Sequence, residues 1–208
     1  MHYSEFVDEC QIRRLIEQWA VFRDSGEYDR LLSLWHADGR MVTTWSQLSA
    51  LDFVQKSRAG FQSGAMKVTH FLGGSTIDLN GSRAIAQTKM TISQRSLVEG
   101  VLCDTVCIGR FYDFFEKRAS RWGIVLRQPI YEQDRIDPVD PAATLTLDQS
   151  LLETFPEGYR HLAYAQSKMG LTINCQLPGL KGPTVEALYK LGSQWLTGEV
   201  NILPDVWA

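Results

Sequence analysis

Asp24 in VFRDSGEYDRLLSLW and His70 in KVTHFLGGSTID, 46 positions apart, are the two side chains best suited to move a proton. A neutral imidazole near its reference pKa of about 6.5 accepts a proton at working pH. A carboxylate on its other ring N–H fixes the tautomer and stabilises the imidazolium after transfer. Such a pair removes a proton from a carbon acid or positions water, and needs neither metal nor cofactor. Each residue also has a plainer reading. His70 is equally a core histidine donating to a backbone carbonyl, and Asp24 a helix-end residue bonding its own backbone. Asp29 lies inside the next helix and is expected to face solvent. Neither His36 nor His161 has a carboxylate partner by pattern, and His2 belongs to the terminus.

Arg127 lies on the last predicted strand, in the phase of Val125, Pro129 and Tyr131. Pointing inward, it would stabilise negative charge developing on a carbonyl or leaving group. As a buried ion pair or an interface contact it would do no chemistry. Arg110 carries the same two readings. Trp19, Tyr28, Trp45, Phe53 and Phe71 are rings for an apolar cavity, though each taken singly is ordinary packing. Together they favour a small hydrophobic, cyclic substrate over a phosphorylated one. Gly73-Gly74 reads as a bulge within a strand, not a phosphate loop. The absence of G-x-S-x-G, H-E-x-x-H and C-x-x-C motifs argues against hydrolase, zincin and redox roles. No metal site and no cofactor is expected.

Composition bounds the rest. The 208 residues are 44% hydrophobic and 22% charged, with a net charge of −3. That is an ordinary globule without the basic patch that nucleic acid requires. No run approaches the roughly 20 apolar residues of a membrane span, and MHYSEFVDECQIRR lacks a signal-peptide core. A cytoplasmic protein is expected, with no nucleic-acid or membrane partner. The four cysteines form no framework; Cys103 and Cys107 on one strand stand about 13 Å apart at the usual rise, too far for a disulfide. All four, including Cys10 and Cys175, read as small apolar packers.

Several elements must position the pair. Ile12, Leu15, Ile16, Trp19 and Phe22 set a helical period over 4–24, stopped by Ser25-Gly26. A short helix over 27–36, a strand over 41–45 and a helix over 48–62 follow. From Lys67 to about Asp137 the pattern becomes β. Met66, Val68, His70 and Leu72 share one face there, and Asn80-Gly81 marks a hairpin. Turns near Glu99-Gly100 and Arg118–Ser120 separate two further long strands. The arrangement is α+β: N-terminal helices against a curled antiparallel meander. Beyond the prolines of 137–147, the chain predicts a broken helix over 148–168 and a last helix over 184–196. Residues 1–137 thus form one domain. Residues 138–208 form a C-terminal helical extension packed on it or on a neighbouring subunit, because about seventy residues bury little core alone.

The segment GRFYDFFEKRASRWGIVLRQPIYEQD resembles the last two strands of the SnoaL-like branch of the nuclear-transport-factor-like superfamily, where G-R-Y/F-x-D and W-x-I-x-x-R recur. The opening E-x-Q-I-R-x-L-I-E-x-W-A and D-x-G-E-Y-D-x-L-L-x-L-W are similar to that family's first helices, and the resemblance covers about residues 5–137. It implies a cone of helices against a strongly bent sheet, enclosing a cavity. In the family's dehydratase-type members, among them scytalone dehydratase, hexachlorocyclohexane dehydrochlorinase and a bile-acid dehydratase, an Asp ending the first helix pairs with a His on the first long strand. Asp24 and His70 occupy those positions, and Arg127 is the R of W-x-I-x-x-R. The resemblance also implies a homo-oligomer, dimer or trimer, built through the outer sheet face.

The expected function is a cofactor-independent, dehydratase-type lyase in which His70 is the base and Asp24 its orienter. An isomerase or polyketide-type cyclase shares the proton abstraction without the elimination. A hydrophobic-ligand-binding protein would use the same fold without chemistry.

Overall fold

Apolar residues one helical turn apart make the first element. The computed structural model describes residues 3–201, so His2 falls outside the described residues. Helix α1 (Tyr3–Ser25) buries Ile12, Ile16, Trp19 and Phe22 along one stripe. Gly26, at φ 79°, takes the left-handed conformation that ends it and leaves Asp24 in the last turn. Helix α2 (Tyr28–Leu32) is shorter than the sequence predicts, and strand β1 (Trp35–Val42) starts earlier. Tertiary pairing explains both differences. The backbone N–H of Ile124 donates to Leu34 O at 3.0 Å, drawing the segment after Leu32 onto the sheet. After β2 (Gln47–Ser49), helix α3 (Ala50–Ser63) starts where the Ser49 hydroxyl accepts from Asp52 N at 3.1 Å.

Four long strands follow as a meander: β3 (Lys67–Asn80), β4 (Arg83–Val98), β5 (Val101–Arg118) and β6 (Arg121–Pro138). The sheet order is β2-β1-β6-β5-β4-β3, antiparallel throughout except that β1 runs parallel to β6. The register slips at Leu72/Ser75, at Ile108/Gly109 and at Phe114/Phe115. Each slip bends the sheet, and the first is the predicted Gly73-Gly74 bulge. Along β3 the alternation is strict: Val68, His70 and Leu72 turn inward while Lys67, Thr69 and Phe71 face solvent. The architecture is therefore the expected α+β cone, with helices against a curved sheet.

Beyond β6, short α4 (Gln149–Leu152) and a 3-10 turn lead into α5 (Arg160–Lys168), and α6 (Pro183–Thr197) comes last. Helix α5 packs on β4, β5 and β6 and sends Leu162 and Gln166 into the cavity described below. Helix α6 covers Tyr112 and Phe114 on the opposite face of β5. The Trp195 ring lies 6.2 Å from Phe114, and Tyr189 lies 5.5 Å from Tyr112. The chain thus supplies its own cover for part of the face on which the sequence reading expects a second copy.

Gly192 makes that approach possible, because a Cβ there would stand 1.9 Å from the Tyr112 hydroxyl. Gly192→Ala is expected to cost about 1–3 kcal/mol by overpacking, seen as a lowered urea midpoint at unchanged m. Two cysteines depart from expectation: Cys103 and Cys107 are buried, but Cys10 and Cys175 are exposed.

Candidate active site

Strand alternation turns the His70 ring inward, and the end of α1 brings Asp24 to meet it. The ring Nδ1–H donates to Asp24 Oδ1 at 2.7 Å, and the His70 backbone N–H donates to Asp24 Oδ2 at 2.5 Å. A carboxylate only accepts, so Nδ1 carries the proton and Nε2 keeps its lone pair. Nε2 has no hydrogen-bond partner among the described residues. The two side chains are only 7% and 19% exposed for His70 and Asp24. Trp19 meets the imidazole edge-on at 5.1 Å between centroids, and Phe111 lies 6.2 Å away. Helix end, strand and aromatic contacts together fix the ring's orientation.

Burial pushes the His70 pKa below its ordinary value, against the pull of Asp24; the nearby positive charges of Arg23 and Arg127 act in the same direction as burial. The imidazole is therefore neutral at physiological pH. The folded protein binds fewer protons than the unfolded chain between this lowered pKa and about 6.5, so stability rises with pH across that window and falls as pH drops through it. His70→Gln removes this dependence. Urea unfolding should show wild type losing stability relative to His70→Gln as pH is lowered below about 6.5.

His70 lines an inner cavity of about 60 Å³, room for about two waters. Its wall includes Trp19, Trp45, Phe53, Phe111, Ile92 and Leu162, with polar groups from Arg23, Thr44, Gln94, Tyr131 and Gln166. Burial holds the Tyr131 hydroxyl far above its ordinary pKa, so it remains a neutral phenol. A second pocket of about 550 Å³ lies under α3 and residues 169–172. Arg23, Trp45, Met66 and Val68 line both and form the neck between them. The Thr44 hydroxyl donates to Gln166 Oε1 at 2.5 Å, and Gln166 Nε2 donates to Gln94 Oε1 at 3.2 Å. These bonds tie α5 across the inner chamber.

Of the other residues singled out in the sequence, Trp19, Trp45 and Phe53 reach the cavity, whereas Phe71, Tyr28 and Arg127 do not line it. Phe71 is 76% exposed, because its neighbour His70 points inward and strand side chains alternate. Tyr28 is buried behind α3, where its hydroxyl donates to Ser57 O at 3.1 Å and its ring packs on Phe61. Arg127 is buried, and its Nε and Nη2 donate to the two oxygens of Asp113, each at 2.7 Å. Its guanidinium carbon lies 4.4 Å from the Trp19 ring centre and 4.2 Å from that of Phe111. It supports the cavity wall from behind.

Arg110 points to the other face, donating to Glu132 and to the Tyr189 hydroxyl of α6. Asp29 meets Arg58 at the surface, as a solvent-facing residue should. His36 takes the plain role, its Nε2 2.8 Å from Glu116 O. His161 does have a carboxylate partner, contrary to the pattern reading. Its Nδ1 lies 2.8 Å from Asp134 Oδ1, while Asp134 Oδ2 accepts from Leu162 N at the start of α5. That pair anchors a helix end, and neither residue lines the inner chamber.

Sequence reasoning passed over Arg23, Thr44, Gln94, Tyr131 and Gln166. The phase of β4 points to Gln94, two residues after the inward Ile92. The four-residue spacing of Leu162 and Gln166 puts both on one face of α5. Arg23 gives no such sign, since an arginine near a helix end reads as a surface residue.

Residues 4–128 match the model of the SnoaL-like domain. The chain belongs to the SnoaL-like family. The match spans Asp24, His70 and Arg127. Two relatives from Fusarium vanettenii, a PEP2-like protein and pea pathogenicity protein 2, are 37% and 36% identical to it. Each alignment covers 93% of this chain and 87% of the relative. The SnoaL-like domain match ends at 128 while these alignments take in most of the extension, so the C-terminal helices are shared with the fungal relatives. Among solved structures, a putative scytalone dehydratase from Novosphingobium aromaticivorans superposes at TM-score 0.56 with 16% identity, over 70% of this chain and all of that one. A LinA-type hexachlorocyclohexane dehydrochlorinase from Novosphingobium barchaimii gives 0.54 with 14% identity, over 69% and 97%. At these identities the likeness is one of fold. No helix among the described residues is long and apolar enough to cross a membrane.

Proposed function

We propose that this SnoaL-like protein is a dehydratase-type lyase working by acid–base chemistry of its own side chains. One observation carries the reading: a neutral imidazole, held by a carboxylate on Nδ1, keeps an unpartnered Nε2 where the ring lines the inner cavity. In the proposed reaction Nε2 takes a proton from a carbon next to a carbonyl or conjugated system. The electrons of that C–H bond become the new C=C bond as the carbon–oxygen bond to a β-hydroxyl breaks. The departing hydroxide takes the proton back from His70⁺ and leaves as water, so the imidazole ends neutral. Asp24 holds the ring and stabilises its charged form between the two steps. The Tyr131 phenol and the second N–H of the Gln166 amide are the neutral donors that would polarise a carbonyl.

The inner chamber is too small for a cyclic substrate. The substrate is accordingly expected to reach through the neck into the outer pocket, leaving only its reacting carbons beside His70. Two neighbours in fold, a putative scytalone dehydratase and a dehydrochlorinase, favour an elimination chemistry for this cavity.

Mass analysis of products from a panel of cyclic β-hydroxy ketones and β-hydroxy acids tests the proposal. Loss of water, abolished by His70→Ala, is the expected result. An isobaric product abolished by the same change would replace elimination with isomerisation. Conversion that survives His70→Ala would overturn the assignment.

A further inference from the structure

Arg23 precedes Asp24 in the last turn of α1 and stands at the neck between the two chambers. It is 8% exposed. Among the described residues its guanidinium has neither a hydrogen bond nor an ion-pair partner. Three other buried or half-buried arginines differ: Arg127 is held by Asp113, Arg110 by Glu132, and Arg13 by Glu9. Asp24 lies close enough to attract Arg23, but both of its oxygens are taken by His70. The Tyr28 hydroxyl donates elsewhere, to Ser57 O.

A cation withdrawn from water with no counter-ion is costly, and the cost is recovered when an anion arrives. A guanidinium is a planar fork that matches a carboxylate with two parallel hydrogen bonds. The rest of the neck is apolar (Trp45, Met66 and Val68), and the other cationic residue of the outer pocket, Lys56, is exposed. One buried positive charge neutralises one negative charge. A dianionic group such as a phosphate would bring a second negative charge beside the Asp24 carboxylate, with no further buried cation among the pocket residues to pair it.

We propose that Arg23 binds the carboxylate of the substrate, so that the site selects apolar monocarboxylic acids over their neutral counterparts. With the anion held at the neck, the apolar body fills the outer pocket and the carbons next to the carboxylate lie beside the inner chamber. The inference rests on the reading of His70 as the base only for the chemistry that follows binding; the binding itself does not need it.

Calorimetric titration with 2-naphthoate and with its neutral isostere 2-naphthamide tests the proposal. Wild type should bind the carboxylate about tenfold or more tightly than the amide, the usual margin for a charge-assisted hydrogen bond. Arg23→Gln should erase that preference while leaving amide binding within about twofold, and Arg23→Lys should restore part of it. His70→Ala should keep it, so a failed dyad shows as lost turnover with binding intact, and a failed Arg23 assignment shows in binding alone. Equal affinity of wild type for the two probes would overturn the proposal without recourse to any variant. So would a carboxylate preference that survives in Arg23→Gln.

Discussion

Replacing His70 by alanine is expected to lower turnover by at least about 10³-fold, the upper part of the range for a lost general base, or about 4 kcal/mol of transition-state stabilisation. Thermal stability should fall little by comparison, because the lost imidazole was buried at a cost. Asp24→Asn should slow the reaction by a similar factor for a different reason. An amide has one accepting oxygen, whereas Asp24 accepts from both the ring Nδ1–H and the His70 backbone N–H. The amide NH2 must then face one of those donors. The ring is driven toward the tautomer with its proton on Nε2, and the lone pair facing the cavity is lost. This change should also cost about 1–3 kcal/mol of stability, since a charge-assisted hydrogen bond to the ring becomes a neutral one. Steady-state rates and urea unfolding on the two variants separate the effects. A fully active Asp24→Asn would contradict the orienting role.

Asp113→Leu is expected to be the most destabilising single change in the cone. Asp113 and Arg127 are directly opposed across β5 and β6, and both side chains are 0% exposed. Removing the carboxylate leaves a buried guanidinium without a counter-ion, worth about 3–5 kcal/mol, or roughly 6–20 °C in Tm for a chain of this size. The double variant Asp113→Leu/Arg127→Met should recover most of that loss, because a well-packed apolar pair avoids desolvating two charges. Calorimetric melting of the three proteins checks the cycle. Recovery identifies the pair as support for Trp19 and Phe111, while a double variant as unstable as the single one would point to a further partner of Arg127.

Periodicity carries a local message, and the local message was readable. The stripe from Ile12 to Phe22, the stop at Gly26 and the alternation around His70 are properties of neighbouring residues. That the end of α1 meets the inward face of β3 is what the SnoaL-like resemblance implies, and periodicity alone does not give it. The same alternation argues against Phe71 as a cavity residue, since His70 and Phe71 cannot share a face. What stayed illegible depended on partners distant in sequence. Arg127 stayed open between an inward role and a buried ion pair because its counter-ion lies on another strand, and only the register places Asp113 opposite it. His161 looked unpaired because Asp134 sits on β6. The polar wall of the inner chamber was hidden for the same reason: Gln166 arrives on α5 from an extension whose docking no periodicity announces. Tyr28 is a matter of depth, with helix α3 standing between it and the cavity.

The claim on which the account turns is that His70 is a neutral base whose Nδ1 proton belongs to Asp24 and whose Nε2 is free. Two-bond proton–nitrogen NMR of imidazole-labelled protein reads both nitrogens directly across a pH titration. The account predicts the Nδ1–H tautomer above an apparent pKa lower than about 6.5, lost in Asp24→Asn. A ring that is fully charged at neutral pH, or one that carries its proton on Nε2, would contradict it.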